Sequence, residues 1–168
     1  FPLRHDTPCF GFVFEELRPE GKFVREKALK LGIPEGPLWG KLQAGKSVKV
    51  SGKTFKPEMV LDYSKARKGK KVAVIMDTLP KYSLKEIQEC DLIIHEACFS
   101  KEFEERAKQT RHSTAEQAGG IAKKVNAKRL VLTHISTRHQ KEAEVLEKEA
   151  QAVFANSKVA KDLEEIEL

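Results

Sequence analysis

Apolar and polar positions follow two different patterns along the chain. From Lys71 onward, near-continuous apolar runs alternate with amphipathic stretches. Lys71–Met76 (KVAVIM), Asp91–His95 (DLIIH) and Leu130–Leu132 have the length and composition of buried strands. A short helix is expected around Leu84–Glu89, a charged helix over Lys101–Gln109 and a stronger one over Thr114–Asn126. In the last of these, Ala115, Ala118, Ile121, Ala122 and Val125 share one face at helical spacing. Its start, Ser113-Thr114-Ala115-Glu116, fits a capping box with Glu116 three residues after Ser113. Gln140–Phe154 reads as a final amphipathic helix and Lys158–Lys161 as a strand. Strands alternating with helices predict an α/β layered domain.

The first third is different. Phe10–Glu15 (FGFVFE) reads as a short aromatic strand, and Gly21–Leu31 as a short helix carrying Phe23, Ala28, Leu29 and Leu31. The stretch through Gly45 has Gly or Pro every few residues, yet carries Ile33, Leu38, Trp39 and Leu42. Turns with apolar anchors predict a protruding ordered loop. Ser47–Val50 and Thr54–Lys56 flank Ser51-Gly52-Lys53 as a hairpin. No internal repeat or low-complexity segment is visible.

The 168 residues are 40% hydrophobic and 33% charged, enough for one domain with a real core. A net charge of +6 suits a polyanionic partner without demanding one. Cys9, Cys90 and Cys98 are odd in number and form no CxxC, so reduced thiols in a cytoplasmic protein are expected. No apolar run approaches the roughly 20 residues that span a bilayer, and no secretory signal is visible, so no membrane partner is expected. Phe1-Pro2-Leu3-Arg4-His5 reads as mid-domain sequence, and the expectation is a chain cut from something longer.

Polar residues close the apolar strands consistently. Asp77 follows KVAVIM, His95-Glu96 ends DLII, Thr133-His134 ends RLVL, and Ser136 and Arg138 come directly after. Ligands of layered α/β folds bind at the C-terminal edge of the strands. A carboxylate and several imidazoles delivered there would suit a metal or phosphate site. Each residue also has a plainer use: Asp77 as a helix cap, His112 as a flank of a capped helix, His95 or His134 as a satisfied histidine.

Five segments, in order, resemble the ribonuclease Z family. His112–His139 (HSTAEQAGGIAKKVNAKRLVLTHISTRH) resembles its His-Ser-Thr helix start followed by Leu-Thr-His-x-Ser-x-Arg. Val72–Thr78 resembles its Gly-Asp-Thr strand end, and Asp91–Phe99 its His-Glu-Ala-Thr-Phe segment. Pro2–Glu16 resembles the segment with the middle metal-binding His, and Lys30–Gly45 the Gly-Pro arm that holds tRNA.

The resemblance implies half of an αββα metallo-β-lactamase sandwich, a single domain over residues 1–168, with a protruding tRNA-binding arm over residues 21–56. It implies a cytoplasmic, homodimeric zinc endoribonuclease that removes the 3′ trailer from precursor tRNA by metal-hydroxide attack on phosphorus. Of two zinc ions, His5 would bind one, Asp77 would bridge both and His134 would bind the other. His112 would donate a proton to the leaving oxygen. Ser113, Thr114, Ser136 and Arg138 would contact phosphates, the helix start offering exposed N–H groups. Gly36 and Pro37 would lie in the arm, among Lys22, Arg25, Lys27, Lys30, Lys41 and Lys46. His95 and Glu96 would orient ligands from behind.

The family's His-x-His-x-Asp-His loop, which supplies the other ligands, has no counterpart in this chain. The expected partner is therefore a missing N-terminal half, and the isolated chain is expected to be inactive. A non-catalytic RNA-binding relative, or another hydrolase of the same fold, are the alternatives. Met76 stands where the family has Gly, Cys98 where it has Thr, and His139 where it has Tyr. Cys98 is expected to be a small buried residue.

Overall fold

The structure is a computed structural model describing residues 1–16, 21–64, 69–139 and 143–168; residues 140–142 of the expected last helix lie outside the described residues. Two compact units form, Phe1–Glu16 with Lys70–Leu168, and Leu17–Gly69. The first strand, β1 (Phe12–Glu15), belongs to the larger unit.

In the smaller unit β2 (Lys22–Phe23) pairs antiparallel with β5 (Leu61–Asp62), and β3 (Val48–Val50) with β4 (Lys53–Phe55). Ser51 and Gly52, at φ 48° and 79°, close the β3–β4 hairpin with two left-handed residues, as a type I′ turn requires. Helices α1 (Arg25–Lys30) and α2 (Pro37–Gln43) complete the unit. A loop was expected where α2 lies. Gly36 takes φ 133° and ψ −150°, a conformation that glycine alone adopts freely, and Pro37 then starts the helix at its first position. Ala28, Ile33, Leu42, Val48, Phe55, Val60 and Leu61 make a core of their own. Trp39 packs on that core as the expected anchor: its ring lies 5.1 Å from that of Phe23, and its Nε1–H donates to the Ile33 carbonyl at 3.1 Å.

Charge is divided unevenly between the units. Residues 17–69 hold 13 Lys and Arg against 5 Asp and Glu, a formal +8; the remainder holds 18 against 20, or −2.

In the larger unit β6 (Lys71–Ile75), β7 (Leu92–Glu96), β8 (Leu130–Thr133) and β9 (Ser157–Val159) run parallel, and β1 lies antiparallel on β6. The helices are α3 (Glu104–Gln109), α4 (Ala115–Lys124) and α5 (Ala143–Val153). Because side chains alternate across a strand, Ala73, Ile75, Ile93, Leu130 and Leu132 share one face. They form one core with Ala118, Ile121 and Ala122 of α4 and Leu146 and Ala150 of α5. Gly119 lets α4 and α5 touch: a Cβ there would meet the Ala150 carbonyl oxygen at 2.9 Å.

The opposite face carries Phe12, Phe14, Val72, Val74, Leu92, Ile94 and Val131. Phe12 and Phe14 are 58% and 63% exposed, so this face is apolar and open at its β1 edge. The larger unit is thus an α/β layer with helices packed on one side of a mostly parallel sheet.

Two local expectations shift. Leu84–Glu89 is a turn, not a helix: Glu89 sits at φ 54° and its N–H donates to the Val125 carbonyl at 2.8 Å. The N-cap of α4 is Thr114 rather than Ser113; its Oγ1 accepts from Gln117 N and the Gln117 side chain answers at Thr114 N. Ser113 is drawn inward instead, its hydroxyl donating to the Thr78 carbonyl at 2.7 Å.

Candidate active site

Parallel pairing brings Ile75, His95 and Leu132 level across β6, β7 and β8. The residues just beyond, Asp77, Glu96 and His134, therefore emerge at the same C-terminal edge. Asp77 and His134 both hold left-handed backbone, at φ 48° and 54°. Such strain persists only where surrounding contacts hold it, and it gathers at functional sites. It turns the two side chains toward each other, with Asp77 Oδ1 3.4 Å from His134 Nε2.

Glu96 is the hub behind them. Fully buried, its carboxylate accepts from Thr78 N at 2.6 Å, Ser113 N at 3.2 Å, Cys98 N at 3.4 Å and His112 Nδ1 at 3.0 Å. Burial works to raise the Glu96 pKa, but the His112 imidazole and the Thr78 N–H outweigh it and hold it below the usual range. The same hydrogen bond raises His112 above an ordinary imidazole, against the smaller pull of its own burial. Each charge thus favours the other.

Three imidazoles gather in front of this hub. The ring of His112 lies 5.1 Å from that of His5 and 5.3 Å from that of His134. Each is tied through Nδ1: His5 to the Arg111 carbonyl at 3.1 Å, His112 to Glu96, and His134 to the Cys98 sulfur at 2.9 Å. Holding one ring nitrogen leaves the other, Nε2, to meet a metal or a substrate. The Arg111 clamp on His5 is reciprocal: Nη1 donates to the His5 carbonyl at 3.3 Å and Nε pairs with Asp6 at 2.6 Å.

The remaining expected residues fall in several places. His95 uses both ring nitrogens internally, donating Nδ1–H to the Glu96 carbonyl at 2.6 Å and accepting from the Tyr82 hydroxyl at 2.7 Å. Burial keeps His95 neutral and pushes the Tyr82 hydroxyl up. The N–H groups of Ser113 and Thr114 are not open at the helix start, since they donate to Glu96 and Gln117. Ser136 lies in the turn after β8 with its N–H on the Cys98 carbonyl. Arg138 is exposed, its guanidinium 5.6 Å from the Phe99 ring and 5.1 Å from the Phe103 ring. Buried His139 sits edge-on to Phe103. Gly36 and Pro37 belong to the smaller unit.

Sequence reasoning missed Thr78, Tyr82 and Arg111. Nothing in their spacing marks them; each acts by closing a hydrogen bond with a segment far away in sequence. Cys98 is buried as expected, yet its sulfur is engaged rather than inert.

The spacing of Asp77 and His134 suits a metal. Adjacent ligands on a tetrahedral zinc with bonds of about 2.0–2.1 Å stand roughly 3.3 Å apart, and the Asp77–His134 separation of 3.4 Å fits. A second cluster, Glu96, Cys98, His112 and His134, has donor atoms within 4.8 Å of one another. It is better read as a hydrogen-bonded network. The Glu96 oxygens already accept four bonds, and burial holds the Cys98 thiol protonated.

Among the described residues, no helix is long and apolar enough to cross a membrane. No protein-family model matches the chain. Curated sequences do. Ribonuclease Z of Nitrosopumilus maritimus is 44% identical over 165 residues, 98% of this chain and 54% of its own length. Ribonuclease Z of Archaeoglobus fulgidus is 42% identical over 170 residues, 100% of this chain and 55% of its own. Among solved structures, the metallo-β-lactamase fold protein YhfI from Bacillus subtilis is similar over 55% of this chain and 37% of its own, with 30% identity and a TM-score of 0.49. The chain spans about half the length of the curated relatives it matches. In sequence the chain is similar to ribonuclease Z along nearly its whole length.

Proposed function

We propose that the chain supplies the C-terminal half of a zinc-dependent endoribonuclease that removes the 3′ trailer from precursor tRNA. The observation that carries this is the joint display at one sheet edge of Asp77 and His134, 3.4 Å apart, with His5 and His112 beside them, each imidazole tied at Nδ1. His5, Asp77 and His134 would hold zinc, two ions in the completed site. Bound there, the metal would supply an activated water and charge stabilisation at phosphorus.

The chain's own residues do the rest. His112, whose pKa the Glu96 hydrogen bond raises, would give a proton to the departing 3′ oxygen. Arg138, held over two phenyl rings, offers a guanidinium to a nearby phosphate, with Ser136 in the same turn. The unit of residues 17–69, at a formal +8, would carry the tRNA body through phosphate contacts, with Gly36 and Pro37 shaping its second helix. The open row of Phe12 and Phe14 is where the missing N-terminal half would dock. The complete protein is read as a cytoplasmic homodimer.

The test is cleavage of precursor tRNA by the chain mixed with an N-terminal ribonuclease Z half bearing His-x-His-x-Asp-His. Cleavage is expected in the mixture and not with either half alone. His112→Ala should lower its rate about 10²–10⁴-fold without weakening tRNA binding. A second reading, RNA binding without cutting, is favoured by the charge of the smaller unit alone. Salt-sensitive tRNA binding with no cleavage in the mixture would select it.

A further inference from the structure

His134 stands in a conformation its own backbone disfavours, and one side chain touches it twice. The Cys98 sulfur lies 2.9 Å from His134 Nδ1 and 3.0 Å from the His134 carbonyl oxygen. Cys98 is 5% exposed and follows β7, whereas His134 follows β8 at φ 54°. The two strand ends are also stitched by Ala97 N to the Thr133 carbonyl at 2.9 Å and Ser136 N to the Cys98 carbonyl at 3.2 Å.

A thiol has one proton, so the two contacts cannot both use it as donor. If S–H donates to the carbonyl, which has no proton to give, the sulfur can only accept at Nδ1. That puts a proton on Nδ1, and in the neutral ring the lone pair then lies on Nε2, the nitrogen 3.4 Å from Asp77 Oδ1.

We infer that Cys98 is a positioning residue for His134: one sulfur bridges the imidazole and the carbonyl of the same residue, fixing its tautomer and its left-handed backbone together. This rests on the reading of His134 as a metal-binding residue, where the partner of the non-binding nitrogen orients the ring. A hydroxyl at this position can make the same two contacts, but alanine can make neither.

The test is long-range 15N–1H NMR of the His134 ring in the full 168-residue chain at pH 8, without metal or RNA. The wild type should show a protonated Nδ1 and an unprotonated Nε2. Cys98→Ala should mix the tautomers, and Cys98→Ser should restore the wild-type pattern. In the complex with an N-terminal half, Cys98→Ala should weaken zinc binding about 10–100-fold, and Cys98→Ser should recover most of it. A wild-type spectrum showing Nε2–H overturns the inference without any variant. So does a folded Cys98→Ala chain, judged by unchanged His95 shifts, whose His134 pattern equals the wild type. Because the spectra need neither metal nor RNA, their outcome is separate from that of the cleavage experiment.

Discussion

Glu96 carries its charge without any exposed surface because four donors converge on it: three backbone N–H groups and the His112 ring. Glu96→Gln should therefore act at a distance. With the carboxylate gone, His112 loses the charged acceptor that raises it, and its pKa should fall toward the ordinary imidazole value, read by NMR titration. In a cleaving complex the alkaline limb of the rate profile should move to lower pH, since the proton donor is lost sooner. Stability follows the same signs. The depressed Glu96 stabilises above the ordinary carboxylate value of about 4.5, and this is lost as pH falls through its folded value. The raised His112 stabilises below about 6.5, and this is lost as pH rises through its folded value. The melting-temperature gap between wild type and Glu96→Gln should be widest between those pH values. At this scale the sequence was partly legible. Asp77, Glu96, His112 and His134 sit at ends of apolar runs or at a helix start, and that pattern is local. Tyr82, Thr78 and Arg111 were not legible, because their partners lie 13 to 106 residues away.

Among elements, the α4–α5 contact controls how well the sheet is covered. Gly119→Ala should press a methyl against the Ala150 backbone and destabilise by about 1–3 kcal/mol, measured by urea unfolding. Leu146→Ala, emptying a fully buried position of α5, should cost about 2–5 kcal/mol. Strands β6, β7 and β8 were readable because parallel strands buried by helices run apolar without interruption. The helix α2 was not, because Gly and Pro at its start look like loop punctuation until Gly36 is seen supplying the unusual turn that starts it. The supposed helix over Leu84–Glu89 failed for the opposite reason: tertiary bonding of Glu89 to the Val125 carbonyl overrides a weak local preference.

For the whole molecule, two surfaces ask for partners of different kinds. The Phe12 and Phe14 row is apolar, so the isolated chain should self-associate, and Phe12→Ser with Phe14→Ser should shift it toward monomer in sedimentation. The unit of residues 17–69 is strongly basic, so tRNA binding should weaken steeply with added salt. The most direct measurement of the central claim is zinc content after dialysis of the chain mixed with an N-terminal ribonuclease Z half, compared with the same mixture carrying Asp77→Ala. The account predicts roughly two zinc ions per complex for the wild type and a clear loss with Asp77→Ala. A folded complex that takes up no zinc, or an Asp77→Ala mixture that keeps the full amount, would contradict it.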